Sequence, residues 1–354
     1  MSGFKNIGGR IMKRSALFIS IYLILILVFI ICSCSTDPLP PDPDPLDPDP
    51  PEFILPAQTV MYPAPAGAWD DRSVGWCSVV SDGDTLRMWY SGNSDADRVF
   101  KIGYAWSTNY TDWHRYGDTY VLAISYKWEG PDFGRPVVIK DNGVFHMWYH
   151  GWSEDVPIVV GYAQSKNGIN WEKHDQPVME RMASGIGSYE IGLWSVMKDD
   201  GLFRGWYYGT NNTYSSGQGC ISYATSMDGI SYADEGFCLY QSSANIWEKD
   251  FAIWPLVLKT NLNGALWLEM YYLGFSKDQV FPDLGYAVKK DISGTDWHKY
   301  AKNPVLLNSQ LTVDFESLIW SDAMVRDPET GVYHLFYTAY QDGYKIRHII
   351  GIRE

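Results

Sequence analysis

A short phrase returns at near-constant spacing along this chain, and few folds allow that. It reads Met88-Trp89-Tyr90-Ser91-Gly92, Met147-Trp148-Tyr149-His150-Gly151, Gly205-Trp206-Tyr207-Tyr208-Gly209, Met270-Tyr271-Tyr272-Leu273-Gly274 and Leu335-Phe336-Tyr337-Thr338-Ala339. The steps are 59, 58, 65 and 65 residues. A period of this size marks one supersecondary unit stacked on itself. Five copies run from about residue 55 to the end of the sequence. A second phrase follows the first four copies: Gly103-Tyr104-Ala105, Gly161-Tyr162-Ala163, Ser222-Tyr223-Ala224 and Gly285-Tyr286-Ala287. Each leads through a turn to an aromatic residue, namely Trp113, Trp171, Tyr232 and Trp297. A short apolar run ending in a turn precedes each copy, as in Val137-Val138-Ile139-Lys140-Asp141-Asn142-Gly143.

Each unit therefore reads as four short strands, rich in β-branched and aromatic residues and punctuated by Asn, Asp and Gly. No stretch of this region carries a helical period. The expectation is an all-β chain, a five-bladed β-propeller with four antiparallel strands per blade. A sandwich or a β-solenoid does not account for a period near 60 with four strands in it. The fifth unit ends at Ile350-Gly351-Ile352-Arg353-Glu354, where the others have their third strand. The segment Phe53 to Met61 is expected to supply the missing outer strand and close the ring, leaving no open edge.

Ahead of the repeats, Ser15 to Cys32 is almost wholly apolar and follows Lys13 and Arg14. That is the pattern of an export leader, with Met12 as an alternative start. The run approaches spanning length, so a transmembrane anchor is the competing reading. Ile31-Cys32-Ser33-Cys34 resembles a bacterial lipobox, which implies lipid on Cys34. A Pro-Asp alternation follows to Pro51, an extended and self-repelling stalk. The acids after the cysteine resemble the surface-export signal of Bacteroidetes lipoproteins. The expected divisions are a leader at 1–33, a stalk at 34–52 and the propeller at 53–354. The expected location is the outer membrane, facing outward, held by a lipid anchor.

Cys77, Cys220 and Cys238 remain in the repeats. Cys220 and Cys238 fall on neighbouring strands and could pair, although their register looks one residue off, which favours separate buried thiols. No Cys-His spacing indicates zinc, and no metal or other cofactor is expected. The formal charge is −14; four cations lie in the leader, leaving −18, and six stalk acids leave −12 for the repeats. An acidic domain without a basic stripe argues against nucleic acid as a partner. Nothing in the pattern sets an oligomeric state.

In a four-stranded blade the long second-to-third-strand loops share one face. Here these are Asn93 to Phe100, Trp152 to Val159, Thr210 to Cys220 and Phe275 to Leu284. A binding site is expected on that face, at the mouth of the central channel. An aromatic residue followed by a carboxylate opens every unit: Trp69-Asp70, Trp128-Glu129, Tyr189-Glu190, Trp247-Glu248 and Phe315-Glu316. A feature present in every blade is more often scaffold, so Asp70, Glu129, Glu248 and Glu316 are expected to satisfy backbone donors. Acids that break the repeat are the candidates for chemistry: Asp71, Asp132, Asp322 and Asp250. Glu190 joins them because it stands closer to its strand than its counterparts. Arg135 replaces the Cys or Trp of other units and needs carboxylates or an anionic ligand nearby. Arg72 is a second cation there. Trp152, Trp194, Trp254 and Tyr340 are candidate sugar-stacking surfaces, with core filling as the alternative for Trp194 and Trp254. His150, alone on the loop side of the second unit, completes the set.

These phrases, notably Val144-Phe145-His146-Met147-Trp148-Tyr149 followed by Gly161-Tyr162-Ala163-Gln164-Ser165, resemble the five-bladed propeller glycosidases over about residues 55 to 354. The nearest are glycoside hydrolase families 43 and 32 and the mannoside phosphorylases of family 130. The resemblance implies a carbohydrate substrate and hydrolysis of glycosidic bonds by three carboxylates on successive blades, here Asp71, Asp132 and Glu190, with Asp322 in the fifth. The Asn-Asp-Pro-Asn motif of family 32 is absent, and its Arg-Asp-Pro is only echoed by Gly134-Arg135-Pro136. A surface glycan-binding protein without turnover is the alternative, and a phosphorylase a weaker one.

Overall fold

The computed structural model describes residues 47–131, 133–152, 158–311, 317–340 and 343–353. The leader, Cys34 and most of the stalk lie outside them, as do Asp132 and Glu316. The described chain is nearly all β. Strand β1 (Glu52–Met61) is followed by the first unit, β2 (Ser73–Asp82), β3 (Thr85–Asn93), β4 (Lys101–Ser107) and β5 (His114–Arg115), paired in that order. The second unit is β6 (Gly134–Asp141), β7 (Val144–Gly151), β8 (Val159–Ser165) and β9 (Glu172–Lys173). The third is β10 (Glu190–Asp199), β11 (Leu202–Thr210), β12 (Gly219–Ser226) and β13 (Ala233–Leu239). The fourth is β14 (Phe251–Leu262), β15 (Ala265–Phe275), β16 (Asp283–Lys289) and β17 (His298–Lys299), joined to the third by one parallel contact, Gly219 with Phe251. The last is β18 (Ser317–Arg326), β19 (Tyr333–Tyr340) and β20 (Tyr344–Ile352), whose outer partner is β1. Its register runs from Glu52 opposite Ile352 to Met61 opposite Ile346.

The repeated phrase has a packing reason. Trp89 and Trp148 are fully buried, and each indole N–H donates to a turn carbonyl of the next unit. Trp89 Nε1 reaches Gly168 O at 2.7 Å, and Trp148 Nε1 reaches Gly229 O at 2.8 Å. Both glycines have φ of +76°, where a Cβ is strained, and one on Gly168 would lie 2.7 Å from the Trp89 ring. One tryptophan thus fills the space between sheets and satisfies a buried donor at the same time.

Each unit's first strand is interrupted by a bulge, which re-aims a side chain. The register breaks fall on Trp76-Cys77, Arg135-Pro136, Trp194 and Trp254-Pro255, and in the last unit on Ile319 and Asp322. Trp76, Arg135 and Trp254 take φ values of 45°, 54° and 55°. Backbone donors freed by the bulges are met from the adjoining unit. Ser78 Oγ accepts from Val138 N at 2.9 Å, Ser195 Oγ from Val257 N at 3.0 Å, and Thr338 Oγ1 from Trp76 N at 2.7 Å. Cys77, Cys220 and Cys238 are buried free thiols, so the separate reading of Cys220 and Cys238 holds. Cys238 sits at a register shift between Leu239 and Phe237, which takes it out of line with Cys220.

Candidate active site

Four of the five unit-opening acids are described, and three of them behave as one device. In the first unit the Tyr90 hydroxyl donates to Asp70 Oδ2 at 3.0 Å, and Arg115 Nε donates to the same oxygen at 2.9 Å. In the second, Tyr149 and Lys173 reach Glu129 Oε1 at 2.8 and 2.5 Å. In the fourth, Tyr272 and Lys299 reach Glu248 Oε2 at 3.0 and 2.7 Å. The tyrosine is the third residue of the repeated phrase, and the cation lies opposite the alanine of the Tyr-Ala phrase on the outermost strand. All three acids are fully buried. They tie the first strand of each sheet to its last.

The third unit departs from this device. Opposite its alanine, Ala224, stands Asp234 in place of a cation. The phrase tyrosine, Tyr207, donates to Asp234 Oδ1 at 2.8 Å instead of to the opening acid. Glu190 is the first residue of β10 itself, whereas Asp70, Glu129 and Glu248 precede their strands. Its carboxylate accepts from two other phenols, Tyr208 to Oε1 at 2.7 Å and Tyr214 to Oε2 at 2.6 Å. No Lys or Arg of the described residues pairs with it. Burial, reinforced by the Glu190 charge, holds both phenols far above their ordinary range, and Arg135 partly offsets this.

Trp194 and Trp254 pack on Tyr208, the phenol that donates to Glu190 Oε1. The Arg135 guanidinium lies 5.2 Å over the Trp76 ring. Trp76 packs on Trp320 at 4.9 Å, Trp320 on Trp254 at 6.1 Å, and Trp254 on Trp194 at 5.8 Å. Trp194 and Trp254 are 6% and 7% exposed, so they serve first as core, and Trp194 Nε1 donates to Ser321 O at 3.0 Å. Asp322 Oδ2 accepts from Thr338 Oγ1 at 2.6 Å, and Oδ1 has no partner among the described residues. Burial pushes this carboxyl well above the usual carboxylate range, against the opposing pull of the Thr338 hydroxyl and the Arg135 charge. His150 is buried on Trp194, with Nε2 3.0 Å from Leu193 O. Burial, then the Arg135 charge, drives it down to about 3, so it is neutral.

Above this interior opens a cleft of about 760 Å³ on the long-loop side. It is lined by Asp71, Arg72, Ser73, Asn93, Asp95, Arg98, Phe100, Tyr340, Gly343 and Tyr344. Phe100 and Tyr344 pack on Trp76 at 5.1 and 5.2 Å, joining the cleft to the tryptophan cluster. Asp71 accepts from Gly67 N at 2.6 Å and Asp95 N at 3.0 Å; these backbone donors lower its carboxyl below the usual range. Arg72 pairs with Asp95 at 2.8 Å. Of the candidates from sequence, Asp71, Arg72 and Tyr340 meet in the cleft, and Glu190, Arg135, Asp322, Trp194, Trp254 and His150 in the interior. Asp250 stands apart, accepting from Lys277 N at 2.9 Å, and Trp152 is 39% exposed on the second unit. Sequence reading passed over Trp76, Trp320, Tyr208 and Arg98. Trp76 carries a visible signal, since it aligns with Arg135 and Trp254 at the same point of the first strand.

Among solved structures, a glycosyl hydrolase from Bacteroides ovatus matches with a TM-score of 0.64 at 15% identity, over 88% of this chain and 96% of that one. A structure from the family 130 mannoside phosphorylases, a family that contains hydrolases targeting beta-1,2 mannosidic linkages in Candida mannan, matches with 0.63 at 14% identity, over 85% and 94%. A thermostable family 43 glycoside hydrolase matches with 0.58 at 20% identity, over 82% and 91%. These likenesses are of fold. By sequence, a 1,2-beta-oligomannan phosphorylase of Thermoanaerobacter sp. is 26% identical over 190 residues, 51% of this chain and 56% of that protein. No family model matches the chain. The uncharacterized proteins MT1551 and Rv1502 of Mycobacterium tuberculosis are each 31% identical over 216 residues, 57% of this chain and 69% of theirs. On that match, the chain belongs to the family of these two mycobacterial proteins.

Proposed function

We propose that this protein is a glycoside hydrolase whose substrate enters the loop-side cleft and is cleaved beside Glu190. The carrying observation is the third unit's departure: Asp234 stands where the other units have a cation, and the opening acid is held by two phenols instead. Glycosidic cleavage asks for two carboxyl groups in different protonation states. Burial raises the Asp322 carboxyl well above the usual range, and Glu190 supplies the second carboxyl group. Aromatic faces at Phe100, Tyr340 and Tyr344 suit the C–H faces of sugar rings. In this reading the five units are blades of one closed propeller, with β1 completing the fifth blade, and Cys34 carries the lipid that holds the exported protein at the outer membrane.

Oligosaccharides of arabinan, xylan, galactan, mannan and fructan, with and without phosphate, provide the test. Reducing ends released at a rate independent of phosphate, and lost in Glu190→Gln, are the expected result. A sugar phosphate appearing only with added phosphate would turn the reading to a phosphorylase. A second reading, glycan binding without turnover, draws on Asp71, whose two carboxylate oxygens already serve backbone N–H groups. Saturable binding with no product over days establishes that reading instead. Mass spectrometry of the mature N-terminus tests lipidation of Cys34.

A further inference from the structure

We infer that the cleft takes a glycan bearing an oxyanion, a uronic acid carboxylate or a sulfate, through Arg98 and Arg72. This rests on the reading of the cleft as a saccharide site and names its substrate class. The domain is acidic, with a formal charge of −14 for the whole chain, yet the cleft wall carries two arginines within one loop and its base. Their local counter-charges are already engaged. Asp71 gives both oxygens to backbone donors. Asp95 pairs with Arg72, but the pair is 71% and 38% exposed, so a ligand oxyanion can displace it at little cost. Arg98 makes no ion pair among the described residues.

The loop also holds Arg98 in place. Its φ is +55°, a conformation that costs a non-glycine residue free energy. Hydrogen bonds at both ends keep it there: Arg98 N donates to Ser94 O at 3.0 Å, and Asn93 Nδ2 donates to Arg98 O at 3.4 Å. A guanidinium presents a planar fork that matches a carboxylate or sulfate with two parallel hydrogen bonds. Phe100 and Tyr344 lie beside it for the sugar face. The arrangement suits a ring stacked on aromatics with its anionic substituent turned to the arginines.

The test measures binding by calorimetry at fixed ionic strength. The probes are oligogalacturonate, a glucuronate-bearing xylo-oligosaccharide and a sulfated galactan fragment, each beside its carboxyl-reduced or desulfated counterpart. At least one acidic probe should bind 10-fold or more tighter than its neutral counterpart. Arg98→Gln should remove that preference, Arg98→Lys should keep part of it, and both should melt like the parent. Equal affinity for acidic and neutral partners overturns the inference while leaving the saccharide site standing. Binding of inorganic phosphate alone, lost in Arg98→Gln, overturns it in favour of free phosphate. No saccharide binding at all overturns both readings.

Discussion

The second and third units are built from the same strands and the same phrases, yet their opening acids have opposite fates. Glu129 is enclosed by Tyr149, Lys173 and the backbone N–H groups of Ser125 and Tyr126, with the Lys173 side chain only 7% exposed. Glu190 accepts from two phenols, Tyr208 and Tyr214, which themselves pack on Trp254. One substitution at one register position, Asp234 for a cation, separates the two. A buried acid paired with a buried cation is committed to the scaffold, because removing either leaves an uncompensated charge. A buried acid whose partners among the described residues are hydroxyls carries no such commitment to a scaffold cation. Symmetry in a repeat protein thus marks load, and its local failure marks chemistry.

The most severe way to break the comparison is Glu129→Gln. It leaves Lys173 buried without its carboxylate, and a loss of about 3–5 kcal/mol in urea unfolding is expected. A loss below ~1 kcal/mol would mean that the device is ornamental. Acid is the next lever, acting on the last unit. His334 and His348 are buried, stacked and 2.9 Å apart through Nδ1 and Nε2, with Tyr110 of the first unit stacked on His334 at 3.6 Å. Burial lowers each from 6.5 to about 4; Asp327 pulls His334 back up, and His334 pushes His348 further down. Between these values the unfolded chain binds protons that the fold refuses. Stability is therefore full above about pH 6.5 and falls as pH drops toward 4. A loss of about 5 kcal/mol between pH 7 and 4.5 is expected, roughly half from each histidine. His348→Gln should flatten that pH slope, and an unchanged slope would place the acid sensitivity elsewhere.

Glu190→Gln sharpens the contrast from the other side. Turnover should fall by ~100-fold or more with little change in melting temperature. A large drop in stability with normal turnover of the folded fraction would make Glu190 scaffold like its counterparts. Tyr214→Phe should cost less, roughly 10-fold, because one phenol remains on the carboxylate. Asp71→Asn is expected to have the smallest effect on turnover, as its oxygens already serve Gly67 and Asp95. A loss matching that of Glu190→Gln would move the chemistry out to the cleft mouth.

The period, the four-strand unit, the segregation of long loops and the outer position of the N-terminal strand were all legible in the residues. They follow from local rules: alternation, turn residues and a repeat length, each of which acts through neighbours in the chain. The suspicion of Glu190 was legible too, from its spacing to the strand. What makes Glu190 different was not. The cation that fixes Glu129 comes 44 residues later, and the alanine register that aligns Arg115, Lys173, Asp234 and Lys299 exists only once strands pair. The bulges are likewise invisible in composition, although they carry Trp76, Arg135, Trp194 and Trp254 to one place. Sequence by itself determined which residues repeat. Tertiary structure decided which carboxylates are neutralised, since a buried charge is defined by what long-range folding brings against it.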